Sequence, residues 1–337
     1  MRPYLYVSLA LIFAILLSLA IGSVFIPPRD LLAVLAAWLS GEALTGRLAT
    51  YGFIIASIRL PRTVLVALTG AALGTSGGAY QGLFRNPLAD PYLIGVASGA
   101  ALGAVIAMSV RWPYTFWGLM AVPLAAFIAG LLTVFLVYTA ARVGKTVPTT
   151  NLILAGVAFG SFATALTSFL MLRSTGEVRR ALGWLMGGAS QTGWLPVLGI
   201  LPYLLLGLGV LLLSGHTLNL LQFGDEQAGQ MGLPVGRAKN VILAAASMAT
   251  AAAVAFSGVI GFIGLIVPHV MRMWWGGDYR RLLPLSLIGG AVALLLADVL
   301  ARVLLAPQEL PVGIVTALAG APFFLWVLRR AKNQGYW

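Results

Sequence analysis

QFGDEQAGQMGLPVGRAK, residues Gln222 to Lys239, is a polar interruption in a chain that is apolar for long distances on both sides. So short a hydrophilic run between two membrane-length apolar stretches has to lie in water. Asp225 and Glu226 form one of the few places where acids adjoin. Asp225 suits a helix N-cap, and Glu226 in a first turn is favoured by the helix dipole. Gly232, Leu233 and Pro234 predict a sharp turn. One or two short helices outside the bilayer, offering a surface to a partner, are one reading of this stretch. An ordinary hydrophilic loop is the other.

Composition places the rest of the chain in the membrane. Of 337 residues, 60% are hydrophobic and 9% are charged, whereas a soluble domain carries roughly 25% charged residues. The formal charge of +12 is spread thinly, mostly as arginine, without a dense basic cluster. Headgroup anchoring explains it better than nucleic acid does. With no cysteine, disulfides and thiolate metal sites are excluded. The first apolar run has a weak basic start and no small-x-small cleavage site before Pro27-Pro28, so it is expected as a span and not a signal peptide.

A spanning helix needs roughly 20 apolar residues. Leu5 to Ile26, Leu60 to Gln81, Tyr92 to Val110, Trp117 to Ala140 and Leu152 to Leu172 meet or approach that length. So do Leu195 to Ser214, Val241 to Phe256, Val259 to Trp275, Pro284 to Leu305 and Val312 to Leu328. Between the first two, Asp30 to Leu39 is amphipathic and predicts a helix lying along the interface. Lys239 to Trp275 is one apolar block with only Ser257-Gly258 as a turn. Arg2 before the first span, and Arg329, Arg330 and Lys332 after the last, put both termini in the cytoplasm. That parity requires the block to be split, giving ten crossings. It brings Lys145, Lys239, Lys332, Arg272, Arg280 and Arg281 inside, together with Gln222 to Lys239. Arg29, Arg47, Arg59, Arg62, Arg111, Arg173, Arg179, Arg180 and Arg302 fall outside.

Forty glycines, among them Gly70, Gly74, Gly77, Gly264 and Gly290, predict close helix contacts, since small residues let backbones approach where lipid supplies no hydrophobic drive. RNPLADPYLIG from Arg85 and RRLLPLSLIG from Arg280 hint at an internal repeat. Chemistry is sparse. His269 lies near a cytoplasmic span end, where a structural role is favoured over a proton relay. Asp298 is better placed, although Arg302 is its i+4 neighbour and can neutralise it. His216 reads as a solvated loop residue. No residue cluster has metal spacing, and no phosphate-binding GxxxxGK[ST] or nucleophile elbow is present. The chain therefore hydrolyses no nucleotide by itself, needs no cofactor, and would have to draw energy for uphill transport from another subunit.

Several stretches, in order, carry a resemblance. They are RLPRTVLVALTGAALGTSGGAYQGLFRNPLADPYLIG (Arg59 to Gly95), NLILAGVA (Asn151 to Ala158), the loop Gly224 to Pro234, and SGVIGFIGLIVPHVMR (Ser257 to Arg272). LLADVLAR (Leu295 to Arg302) and ELPVGIVTALAGAPFFLWVLRR (Glu309 to Arg330) complete the set. Together they resemble the permease family of ATP-binding cassette importers for iron-siderophores, haem and cobalamin. The resemblance implies an all-α, ten-span type II importer permease, a single domain over residues 1–337, in the cell (inner) membrane. It implies a homodimer with two ATPase subunits and an extracytoplasmic binding protein, and no nucleic acid. It makes Gln222 to Lys239 the segment that docks on the ATPase, with Asp225, Glu226, Gln230, Gly232 and Leu233 as contacts. It makes Arg59, Arg62 and Arg302 the sites for acidic residues of the binding protein, where headgroup snorkelling is the alternative. Asn86, Pro87, Leu88, Thr149 and Thr150 become a cytoplasmic gate. Pro27 to Ser57 and Arg111 to Val137 carry less of the resemblance. The rival expectation is a secondary transporter or channel acting without an ATPase.

Overall fold

The computed structural model describes residues 2–333, apart from residues 23, 114, 145–146, 174–177 and 189–192. The described residues are helical throughout the spans. Lys145 lies outside them, as do the side chains of Arg330 and Lys332.

Each of the ten apolar runs forms a helix. These are α1 (Arg2–Ala20), α4 (Leu60–Leu83), α5 (Val96–Met108), α6 (Phe116–Ala141), α7 (Thr149–Arg173), α9 (Leu195–Leu213), α12 (Val235–Ser257), α13 (Ile263–Trp275), α14 (Tyr279–Val303) and α15 (Val312–Asn333). Between α1 and α4 lie α2 (Pro28–Ser40) and α3 (Gly46–Ile54), the latter running on through a π-helical turn at Ile55–Arg59. The expected interfacial helix corresponds to α2. The sequence reading missed α3, which an Arg47–Asp30 ion pair of 3.0 Å ties back to α2. Short helices α8 (Val178–Leu185), α10 (Gly215–Leu221) and α11 (Asp225–Gln230) complete the chain.

Among the described residues, seven helices are long and apolar enough to cross a bilayer, α4 being counted together with α3 and the π turn. Two of the other three are short for a physical reason. At 1.5 Å per residue, the 13 residues of α5 and of α13 span only about 20 Å of a core about 30 Å thick. Each is preceded by non-α-helical backbone: a 3₁₀ turn at Pro91–Ile94 before α5, and residues 258–262 before α13. Such backbone is tolerated at membrane depth only when protein covers it. Here the two breaks cover each other, because the Tyr92 hydroxyl donates to the Ile260 carbonyl at 2.9 Å. The split expected at Ser257-Gly258 is thus present, with Gly258 at φ +67°. A Cβ there would collide with the Trp184 carbonyl.

The core is built on glycine. A Cβ on Gly70 would run into the carbonyl of Gly290, one on Gly290 into that of Gly70, and one on Gly74 into that of Ser286. Helices α4 and α14 therefore touch backbone to backbone, as small-residue packing in lipid demands. Gly77 meets Gly264 of α13 in the same way. The two strings behind the suggested repeat take different local structures. Arg85 to Gly95 is a loop and a 3₁₀ turn, whereas Arg280 to Gly289 lies within one helix. A shared string of letters does not impose shared backbone when one copy lacks helical continuity around its prolines.

Candidate functional sites at the two ends of the bundle

At one end, Asp298 gathers the arginines. It is fully buried and pairs with Arg62 at 2.9 Å and Arg302 at 3.1 Å, so the i+4 neutralisation expected from spacing is present and is shared with a second helix. Arg62 also reaches Glu309 at 2.7 Å. Arg59 and Arg302 point inward, to the C-terminal end of α1. Arg59 donates to the carbonyls of Leu19 (2.5 Å) and Ala20 (2.9 Å) and to that of Val24. Arg302 donates to Ile21 O at 2.7 Å and to Ser18 Oγ at 2.9 Å, and Ser18 in turn pairs with Thr63 at 2.9 Å. The last carbonyls of a helix have no intrahelical donor, and two guanidinium groups satisfy them here. The π turn ending at Arg59 belongs to this arrangement. Its wide turn carries Arg59 toward α1, while Arg62, one turn on, faces Asp298 and Glu309. Of the three arginines expected to meet a binding protein, Arg59 and Arg302 are thus buried, at 6% and 5% exposure. Arg62 borders an open recess of about 1050 Å³. Arg111, Arg179, Arg180, Trp112, Trp184 and Glu309 also line that recess.

At the other end, the segment after α9 folds into α10 and α11. Helix α11 begins at Asp225, with Gly224 in the cap position at φ +100°. Asp225 is therefore the first helical residue and not the N-cap expected from sequence. Its carboxylate instead pairs with Lys239 of α12. Ala228 is fully buried and anchors the little helix, leaving Asp225, Glu226, Gln230 and Gly232 exposed and Leu233 half-buried. Gly232 turns the chain at φ +85°, a conformation that favours glycine. His216 is not a loop residue: it lies in α10, with Nδ1 2.7 Å from an Arg280 guanidinium nitrogen. Asn219 of α10 donates to Asp278 at 2.6 Å and accepts from the Tyr279 amide at 2.8 Å. The Asn219 amide, followed by the Arg280 backbone N–H, holds the Asp278 carboxyl below the usual carboxylate range.

The expected gate residues lie beside this segment. Asn86 folds the chain after α4, its side-chain oxygen accepting from the Leu88 amide at 2.9 Å. A cavity of about 490 Å³ is lined by Phe84 and Arg85 at the end of α4, Thr149 at the start of α7, and Asp225 and Lys239. One cavity wall is thus shared by residues next to the gate turn, by Thr149 and by the exposed segment. Thr150 is exposed outside that lining, and His269 packs edge-on to Phe323 at 6.2 Å. Sequence reasoning missed Asn219, Gln222 as a tie, and Asp278. Each looks like a loop polar residue until its partner from a distant helix is known.

Comparison with known proteins places this geometry. Residues 10–330 match the FecCD transport family. The chain belongs to that family. It is 41% identical over 323 residues (96% of this chain, 92% of the relative) to the uncharacterized ABC transporter permease protein YvrB of Bacillus subtilis. It is 47% identical over 276 residues (82% and 73%) to the cobalamin import system permease protein BtuC of Halobacterium salinarum. It is 45% identical over 285 residues (82% and 84%) to the hemin transport system permease protein HmuU of Yersinia pestis. A solved metal-chelate type ABC transporter in an inward-facing conformation superposes with a TM-score of 0.81 at 30% identity, covering 97% of this chain and 98% of the other. The protein is a permease of an ABC importer with the fold expected from sequence.

Proposed function

We propose that this permease carries a metal chelate of the siderophore, haem or cobalamin kind into the cytoplasm. It works as a homodimer with two ATPase subunits and an extracytoplasmic binding protein, with both termini and residues 222–239 on the cytoplasmic side. The observation that carries the reading is the match over residues 10–330. It is joined by a helix, α11, that is anchored by Ala228 and presents its acids to solvent.

In this reading the loaded binding protein offers carboxylates to the outer arginine cluster. Arg62 makes the direct contact, and Arg59 and Arg302 hold the platform beneath it. Paired Arg–carboxylate contacts fix register as well as attraction. ATP binding draws the ATPase subunits together, and the exposed face of Asp225, Glu226, Gln230, Gly232 and Leu233 receives the motion. The turn at Asn86, Pro87 and Leu88, with Thr149 and Thr150, closes or opens the inner end of the path. Alternation between two arrangements, biased by nucleotide and by the loaded partner, is what moves the cargo.

The test is reconstitution in liposomes with the ATPase and the binding protein. Changing Asp225→Ala together with Gly232→Ala uncouples hydrolysis from uptake, and normal uptake by that variant refutes the coupling assignment. Arg62→Gln weakens binding-protein docking at least tenfold, and unchanged docking removes Arg62 from the interface. Uptake with no ATPase present would instead establish the secondary-transporter reading. Binding of candidate chelates to the partner protein decides the cargo.

A further inference from the structure

The segment assigned to the ATPase is continuous with α10 (Gly215–Leu221), and Asn219 of α10 and Gln222 just after it reach the ends of two other helices. Asn219 holds the N-terminus of α14 through Asp278 (2.6 Å) and the Tyr279 amide (2.8 Å). Gln222 donates to the carbonyl of Gly82, in the last turn of α4, at 3.0 Å. The three elements meet at one point, for a Cβ on Gly82 would lie 2.7 Å from the Tyr279 ring and 2.9 Å from Leu218. Gly215 is equally close to α14, since a Cβ there would lie 2.9 Å from the Arg280 Cα. Helix α10 is therefore seated on the α4 and α14 ends through both packing and hydrogen bonds.

From that seat, α4 and α14 run together to the opposite end. Gly70, Gly74 and Gly290 interlock the two backbones, so one helix cannot slide on the other without lifting carbonyls over Cα atoms. Close-packed interfaces move as units and do not deform continuously. At the far end the same two helices are pinned by Arg62 of α4 and Asp298 of α14, 2.9 Å apart. Arg59, in the π turn that leads into α4, and Arg302 of α14 grip the end of α1.

We propose that Asn219 and Gln222 are positioning residues that transfer the ATPase-driven displacement of residues 225–233 to the α4–α14 pair, which delivers it as one rod to the outer arginine cluster. The inference rests on the coupling and docking roles given above, and it adds the route between them. It predicts that the two ends respond together: what moves the inner segment also reshapes the platform beneath Arg62.

The experiment uses the complete transporter in liposomes. Asn219→Asp sets a second carboxylate against Asp278 and breaks the tie. The expected result is retained ATPase binding and basal hydrolysis, an unchanged melting temperature, and at least a tenfold fall in uptake per ATP hydrolysed. Stimulation of hydrolysis by the loaded binding protein is lost in parallel. The swap Asn219→Asp with Asp278→Asn re-forms the pair with donor and acceptor exchanged and restores coupling. Uptake per ATP equal to the parent in Asn219→Asp overturns the inference, as does a swap that stays uncoupled. Asp225→Ala with Gly232→Ala is measured alongside. If that variant uncouples while Asn219→Asp transports normally, the coupling segment stands and the route through α10 falls. If it transports normally, the coupling segment itself is wrong and the route falls with it.

Discussion

Asp298 is fully buried beside Arg62 and Arg302, and Arg62 extends the cluster to Glu309. A carboxylate in such a place is held only by its partners, because burying a lone charge is far costlier than burying a pair. Asp298→Leu leaves Arg302 buried without its counter-charge and frees Arg62 from α14. The expected loss is about 3–5 kcal/mol of stability, read as a lower unfolding temperature in detergent. Arg62→Gln keeps the Asp298–Arg302 pair and costs less, so docking can be tested there without losing the fold. Reversing Arg59 would be a poor test of docking, since its guanidinium satisfies three carbonyls at and just beyond the end of α1. Not every glycine is constrained in this way. Gly209 lies inside α9, and a methyl group added to it would meet nothing within 4 Å. Gly209→Ala should stabilise by about 0.4–1 kcal/mol through the unfolded chain, detectable as a small rise in melting temperature.

Helices α4 and α14 depend on each other more than on their own propensities. Gly290→Val places branched carbons where the Gly70 carbonyl stands. Overpacking of this severity separates the helices instead of adjusting side chains, so the variant is expected to yield little monodisperse protein on size-exclusion chromatography. The break between α12 and α13 is fixed differently. Gly258 at φ +67° backs onto the Trp184 carbonyl, and the carbonyl of its neighbour Ser257 accepts from the Gly188 amide at 2.7 Å. Gly258→Ala strains the turn and clashes at once. A loss of about 1–3 kcal/mol is expected, checked by the same thermal unfolding.

At the scale of the whole molecule, burial is uneven. The most apolar window of α12 is 78% buried and that of α14 is 67% buried, whereas that of α7 is 22% buried. Helices α4, α12 and α14 form the centre, and α7 presents Leu154, Phe162, Phe169 and Leu172 outward. A face of that kind is left for lipid, or for a second copy in the homodimer proposed above. The absence of cysteine makes the proposed orientation directly measurable. Cysteine placed at Gln230 is expected to react with an impermeant maleimide only in inside-out vesicles. Labelling in intact cells would put the coupling segment on the wrong side and dismantle the mechanism.

Much of this was written in the order of residues. Runs of about 20 apolar residues must become helices in a bilayer, because no other local structure satisfies every peptide group there. The ten helical runs and the break at Ser257-Gly258 follow from that rule and from glycine's backbone freedom, and helix α2 follows from the amphipathic pattern of Asp30 to Leu39. What the sequence could not show is partnership between distant residues. Asp298 and Arg302 are legible as an i+4 pair, but Arg62 joins them from 236 residues away. Asn219 and Asp278 look like unrelated loop residues until α10 is laid on α14. The shortness of α5 and α13 is equally invisible, since an apolar run does not reveal where its helix begins. Hydropathy is a property of each stretch alone, and it determined which segments lie in the membrane. Which charges are buried, which helices are fused and where α10 sits depend on what each stretch meets, and only tertiary packing decides that.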